Sequence, residues 1–261
     1  MRSVFNQLLT AIREAEQACM RSSGPGTGLR KVAVVCLTAA LCLGLVRYLN
    51  QGDRVAALLS SLGAGESLRQ WDPRLARLTG WAAMMVLFYL LLPMVVVKAV
   101  LREDLRDYGW RLSGIRKDLP LYGGLLVFML VLVALFSGTA VFQAQYPFYS
   151  PQPGQPLWPG FWAWEALYML QFVAVEFFFR GFLVHGLKER LGFAAVLVMT
   201  MPYCMIHAAK PLPEMLGSIP AGLVLGLLSL KSRSIVPGVL LHGGVALAMD
   251  LAALWRKGLL S

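Results

Sequence analysis

The stretch "VAVEFFFRGFLVHG", residues 173–186, decides how this chain is read. A glutamate and an arginine four residues apart interrupt what is otherwise an unbroken apolar helix pattern. If the segment lies in a bilayer, each charge costs roughly 2.5–3.5 kcal/mol or more, and such groups face the bundle interior or internal water. Glu176 and Arg180, at i and i+4, share one helix face and can pair.

The surroundings support a bilayer. The 261-residue chain is 57% hydrophobic and only 15% charged, where a soluble domain carries about 25% charged residues. Its mean hydropathy is +0.63. The runs "VAVVCLTAALCLGLV" (32–46), "GWAAMMVLFYLLLPMVVVKAVL" (80–101) and "LYGGLLVFMLVLVALFSGTAVF" (121–142) approach or pass the ~20 residues that cross ~30 Å of hydrocarbon. Backbone polar groups in lipid must be satisfied within the segment, so the expected fold is all-α. It is a polytopic transmembrane helical bundle of about seven spans: 31–49, 78–99, 120–142, 161–184, 193–209, 215–230 and 235–255. Residues 1–30 form a separate N-terminal unit, in which Phe5, Leu8, Leu9, Ile12, Ala15 and Cys19 recur at helical spacing with charges opposite. That pattern predicts an interfacial amphipathic helix and linker. Residues 31–261 make the membrane-embedded bundle.

The net charge of +10 does not point to nucleic acid, because the basic residues lie between apolar runs without interleaved aromatics. They set topology instead. Lys98, Arg102, Arg106, Arg111, Arg116 and Lys117 precede the third span, while the loop 143–160, "QAQYPFYSPQPGQPLWPG", has no charge. The first loop is therefore expected inside and the second outside, resting at the interface. The N-terminus is cytoplasmic on this reading, and Lys188, Arg190, Lys231 and Arg233 also fall inside. The loop holding Arg54, Arg69, Arg74 and Arg77 falls outside, nearly balanced by Asp53, Glu66 and Asp72. The four cysteines have no paired spacing and read as small buried hydrophobes. No internal repeat is visible, which weakens a transporter reading.

All three histidines lie between 185 and 242, and of fourteen acids only Glu165, Glu176 and Asp250 fall within the spans. From the span boundaries Glu176 is ~15 Å deep, His207 ~22 Å and His242 ~12 Å, so tilted helices could bring the three to one level. Glu, His and His in one cavity suit activation of a water for attack on a carbonyl. They also suit a divalent metal such as zinc, held by His207, His242 and Glu176 with one position open. His185 reads as interfacial, beside Lys188 and Arg190. Glu165 lies ~16 Å outward of Glu176 on the same face, near Trp162 and Trp164. Asp250, ~12 Å beyond His242, could partner an arginine or water at the outer end or line a cavity mouth.

"EFFFRGFL" (176–183), "YCMIH" (203–207) and "KPLPEMLGSIPAGLVLGLLSLKSRSIVPGVLLH" (210–242) resemble the CAAX-protease and bacteriocin-processing (CPBP) family of intramembrane endopeptidases. The resemblance covers a core at about 160–255. It implies that Glu176 and Arg180 match the second Glu and the Arg of a Glu-Glu-x-x-x-Arg motif, that Tyr203 stands for a Phe, and that His207 and His242 match two motif histidines. Val175 replaces the first Glu, and Ala246 the Asn of a His-x-x-x-Asn motif. The implied activity is hydrolysis of a membrane-anchored or lipidated protein. Glu176, His207 and His242 would be catalytic, and Arg180, Tyr203 and Asp250 supporting, with no HExxH motif to demand tightly bound zinc. The lipid bilayer is the other expected partner, and a bacterial inner membrane the expected location. The competing expectations are an inactive member serving as membrane scaffold or immunity protein, favoured by Val175 and Ala246, and a small-solute or proton transporter.

Overall fold

The computed structural model describes residues 6, 9–10, 12–14, 16–17, 27–51, 54–61, 73–112, 115–152 and 154–260. The expected N-terminal amphipathic helix lies largely outside these residues: Phe5, Leu8, Ala15 and Cys19 are not among them, and neither are Asp53, Glu66, Arg69 and Asp72 of the first loop. Among the described residues every regular element is helical. In chain order these are α1 (Gly28–Leu49), α2 (Arg54–Ser61), α3 (Arg74–Leu101), α4 (Leu119–Phe136), α5 (Ala140–Gln145), α6 (Gly160–Leu191), α7 (Ala194–Ile206), α8 (Leu212–Ser232) and α9 (Val236–Arg256).

Six of these, α1, α3, α4, α6, α8 and α9, are long and apolar enough to cross a membrane. The seventh expected span is α7, which is apolar but only 13 residues long, about 20 Å at 1.5 Å per residue. Its sequence signal was continuous to 209, but the chain leaves the helix at His207 and turns through 207–210 toward Pro211. The gap is physical: α7 is a partial-depth helix packed against α8.

The centre of the bundle is α6. Of its most apolar window 78% is buried, against 11% of that in α4. Phe177, Phe178, Phe179 and Phe182 are all buried, so the turns around Glu176 and Arg180 are apolar on every side. A helix that is apolar all round belongs in a core. Lipid is as apolar as these rings, so close packing holds them rather than exclusion of water. Tyr89 of α3 stacks on Phe178 at 4.4 Å between centroids, and Phe179 meets Tyr203 of α7 edge-on at 5.2 Å. From Phe177 to His185, α6 winds in wider i→i+5 turns, a form often found at functional sites. Gly181 sits in that stretch because a Cβ there would come within 2.7 Å of the Tyr108 carbonyl.

Polar contacts gather the loops into two ends. At one, Lys31 bridges Glu103 at 2.9 Å and Glu189 at 3.2 Å, Lys231 meets Asp118 at 2.7 Å, and the Ser234 hydroxyl donates to the Arg111 carbonyl at 2.6 Å. The basic segments assigned to one side by charge therefore do share an end of the bundle. At the other, the Tyr146 hydroxyl donates to Glu214 and accepts from Lys210, both at 2.8 Å, while Lys257 donates to the Tyr146 carbonyl at 2.7 Å. The loop 143–160 was expected to rest at an interface. Instead three of its four aromatics enter the bundle: Tyr146 and Tyr149 are buried, and the Phe148 ring lies 5.3 Å from Tyr168 and 5.5 Å from Trp81, while Trp158 stays 73% exposed. With no charge to keep solvated, the loop packs those three rings inward. Lys210 is drawn in with it, and burial pushes its ammonium below the usual lysine range.

Candidate active site

Glu176 ends the regular α-helical part of α6 and is fully buried. Its Oε1 accepts two hydrogen bonds, from Arg180 Nη1 at 3.0 Å and from His242 Nδ1 at 2.9 Å. The first is local, set by the i,i+4 spacing. The second crosses from α9, 66 residues away. An isolated buried carboxylate would be prohibitive, and here a guanidinium and an imidazole compensate it.

Tyr203 of α7 links these groups to the second histidine. Its ring lies under the Arg180 guanidinium at 4.1 Å, and its centroid is 4.7 Å from the His207 ring and 6.4 Å from that of His242. His207 caps α7, and its Nδ1 is 2.8 Å from the Tyr203 carbonyl. A carbonyl can only accept, so Nδ1 carries a proton, and neutral His207 presents Nε2 as an acceptor. The same reasoning applies to His242, whose Nδ1 faces a carboxylate. Glu176 and His242 thus meet directly, while His207 joins them through the ring of Tyr203. In this arrangement Glu176 bonds one imidazole directly, where the sequence had placed Glu176, His207 and His242 together around a water.

Three buried atoms of the cluster make no well-formed hydrogen bond: Glu176 Oε2, Arg180 Nε and Arg180 Nη2. Such groups pay their desolvation penalty in full unless water or a ligand meets them. Oε2 points at Gly238 in the first turn of α9, where a Cβ would stand 2.8 Å from it.

Glu176 Oε1 is already engaged twice and both Nδ1 atoms donate, which leaves the two Nε2 atoms as the free acceptors of the cluster. Among the described residues no three of His, Cys, Asp and Glu are grouped so as to hold an ion.

Asp250 is elsewhere. It is fully buried two turns beyond His242, with its carboxyl within hydrogen-bonding approach of Glu165, itself 3% exposed. The Phe148 backbone amide and the Lys210 and Lys257 ammonium groups are its other polar neighbours, yet no well-formed hydrogen bond reaches any of the four carboxylate oxygens. The Glu165–Asp250 contact was missed from sequence, although a signal existed. Positions 242, 246 and 250 share one face of α9, and 165, 168, 172 and 176 share one face of α6. Running antiparallel, 176 meets 242 and 165 meets 250. The Phe172 ring, 4.5 Å from that of His242, marks the same register.

His185, expected at a solvated edge, is buried. Its Nδ1 accepts from Lys188 Nζ and its Nε2 lies against Ser229 Oγ, both at 2.9 Å. Since Nδ1 must accept from an ammonium, Nε2 carries the proton and donates to the serine. No lone pair is left for chemistry, and His185 fastens α6 to α8. Val175 and Ala246 are also buried, in apolar clusters.

This geometry sits inside the segment that a family comparison singles out. Residues 156–248 match the family model described as type II CAAX prenyl endopeptidase Rce1-like. That is the CPBP family whose motifs the sequence resembles. The match spans roughly a third of the chain, running from the loop before α6 into α9. It contains Glu176, Arg180, Tyr203, His207 and His242 and stops short of Asp250. No curated protein and no solved structure gives a significant match. The likeness of this segment is to a family of membrane-embedded endopeptidases, and the chain around it is a helical bundle with six helices long and apolar enough to cross a membrane.

Proposed function

We propose that this protein is an intramembrane endopeptidase that hydrolyses a peptide bond of a membrane-anchored or lipidated protein. The observation that carries the reading is the buried hydrogen bond between Glu176 and His242, made across α6 and α9 inside the matched segment. A water reaching the cluster would find two imidazole acceptors, Nε2 of His242 and Nε2 of His207, for its two hydrogens. As the water attacks the scissile carbonyl carbon, His242 Nε2 takes its proton. Glu176 stabilises the resulting imidazolium through Nδ1, the role an acid plays behind a histidine base. The unpaired Arg180 Nε and Nη2 are the donors at hand for the negative oxygen of the tetrahedral intermediate. Collapse breaks the C–N bond, and His242 returns the proton to the leaving amine. Glu176 thus belongs to the base as one half of a couple, and no step is routed through a metal.

The end bearing Lys98, Arg102, Arg106, Arg111, Arg116, Lys117, Lys188, Arg190, Lys231 and Arg233 is assigned to the cytoplasm by the distribution of basic residues. A second reading, an inactive member acting as a membrane scaffold, is favoured by the burial of Val175 and Ala246 where the motif would place an acid and an amide. Processing of membrane-anchored proteins in cells that carry E176Q, H207A or H242A separates the two. Loss of processing at unchanged protein level supports the peptidase. Normal processing in all three variants leaves the scaffold.

A further inference from the structure

We propose that Gly238 is a positioning residue for the Glu176–His242 pair. It lies one helical turn before His242 on α9, on the side that meets α6. A Cβ added there would fall 2.8 Å from Glu176 Oε2 and 3.5 Å from Glu176 Cδ. The first distance is shorter than side-chain atoms tolerate, and the obstacle is not a free chain end. Oε1 of the same carboxylate is pinned by Arg180 and His242. The carboxylate therefore cannot swing away from position 238 without giving up at least one of those bonds.

The notch has an electrostatic side as well. α9 opens at Val236 with Pro237 at its start, so Gly238 is in the first turn, where the helix dipole favours a negative charge. A hydrogen in place of a side chain lets the carboxylate approach that turn while Oε1 still reaches the imidazole four residues on. One absent methyl group thus sets the separation of α6 and α9 at the level where the proton is transferred. Helix propensity argues against glycine here, since alanine is ordinarily the better helix former. A loss on G238A would therefore run opposite to the backbone effect.

The proposal rests on the peptidase reading only for its activity arm. The test uses full-length protein in lipid nanodiscs with 15N-labelled histidine. A histidine Nδ1–H bonded to a carboxylate gives a strongly deshielded proton, assigned to His242 by its absence in H242A. The control is G244A, on the same helix, where a Cβ meets only Leu126 Cδ1 at an ordinary 3.6 Å. The expected result is a signal kept in wild type and G244A but lost or shifted in G238A, with processing in G238A reduced roughly 10²-fold, as for a misplaced catalytic group. If G238A does not fold, E176A supplies the second arm. With the carboxylate removed the notch is empty, so E176A/G238A should match E176A in yield and melting temperature. A wild-type His242 signal in G238A, or the same damage from G238A in the E176A background, overturns the proposal. If wild type shows the signal but processes nothing, the peptidase reading fails and the role of Gly238 in the pair stands.

Discussion

α6 and α9 meet at two buried polar rungs of opposite construction. In the inner one, Glu176 faces a guanidinium and an imidazole, so its Oε1 is fully served. In the outer one, Glu165 faces Asp250, and no well-formed hydrogen bond reaches either acid from the protein. Two ionised carboxylates are acceptors only and cannot bond one another, so contact between them requires a proton. The inner rung is a charge compensated by opposite charge, whereas the outer sets two carboxyl groups side by side. The pairing of helix faces alone does not make a candidate site: only the inner rung brings donors and acceptors together.

The comparison can be broken most severely at Arg180. Removing one member of a buried ion pair leaves the other uncompensated, so R180A should lower stability by about 3–5 kcal/mol, read as a fall in melting temperature or as loss of folded protein in detergent. R180K, which keeps the charge but not the planar fork, should lose less.

Next in size are E176Q and H242A. Removal of either half of the Glu176–His242 couple should reduce processing by roughly 10²–10⁴-fold per unit of folded protein. Equal losses in the two variants and in the double would identify one unit. An additive double would mean that the two act separately.

The outer rung should respond in the opposite sense. D250N provides an amide donor to Glu165 and removes the need for a shared proton, so stability should hold or rise slightly, within about 1 kcal/mol. Infrared spectroscopy gives a direct check. Wild type should show a protonated carboxyl C=O band that shifts in D2O, and D250N should lose it. A large destabilisation by D250N would mean that the outer rung is compensated by charge after all.

The smallest effect belongs to Y203F. It keeps the ring between Arg180, His207 and His242 and the carbonyl that holds His207. A change in processing smaller than that of H207A is expected, since only the hydroxyl is lost. Y203A removes the ring and should behave like H207A.

Much of the inner rung was legible because its signals are local. Charges at i and i+4 in an apolar run announce Glu176–Arg180, and histidines in apolar segments announce themselves by their cost. Which partner each carboxylate oxygen of Glu176 meets was not legible, because it depends on the rotation of α6 against α9. His185 misled because proximity to Lys188 and Arg190 resembles a wet edge, yet Lys188 turns inward to donate to it. The loop 143–160 misled because proline and aromatics suit an interface and a packed strap equally well.

By itself the sequence determined the helical class, the six long spans, the grouping of basic loops at one end, and the residues that could not lie in lipid without partners. These follow from hydropathy and from 3.6-residue periodicity, which act over a turn or a span. Only the tertiary structure decided that α6 is the hub, that α7 stops short, that Glu176 bonds His242 rather than His207, and that Glu165 meets Asp250. Each of these depends on the register of two helices packed side by side, and residues far apart in the chain set that register through side-chain shape, down to the missing methyl of Gly238.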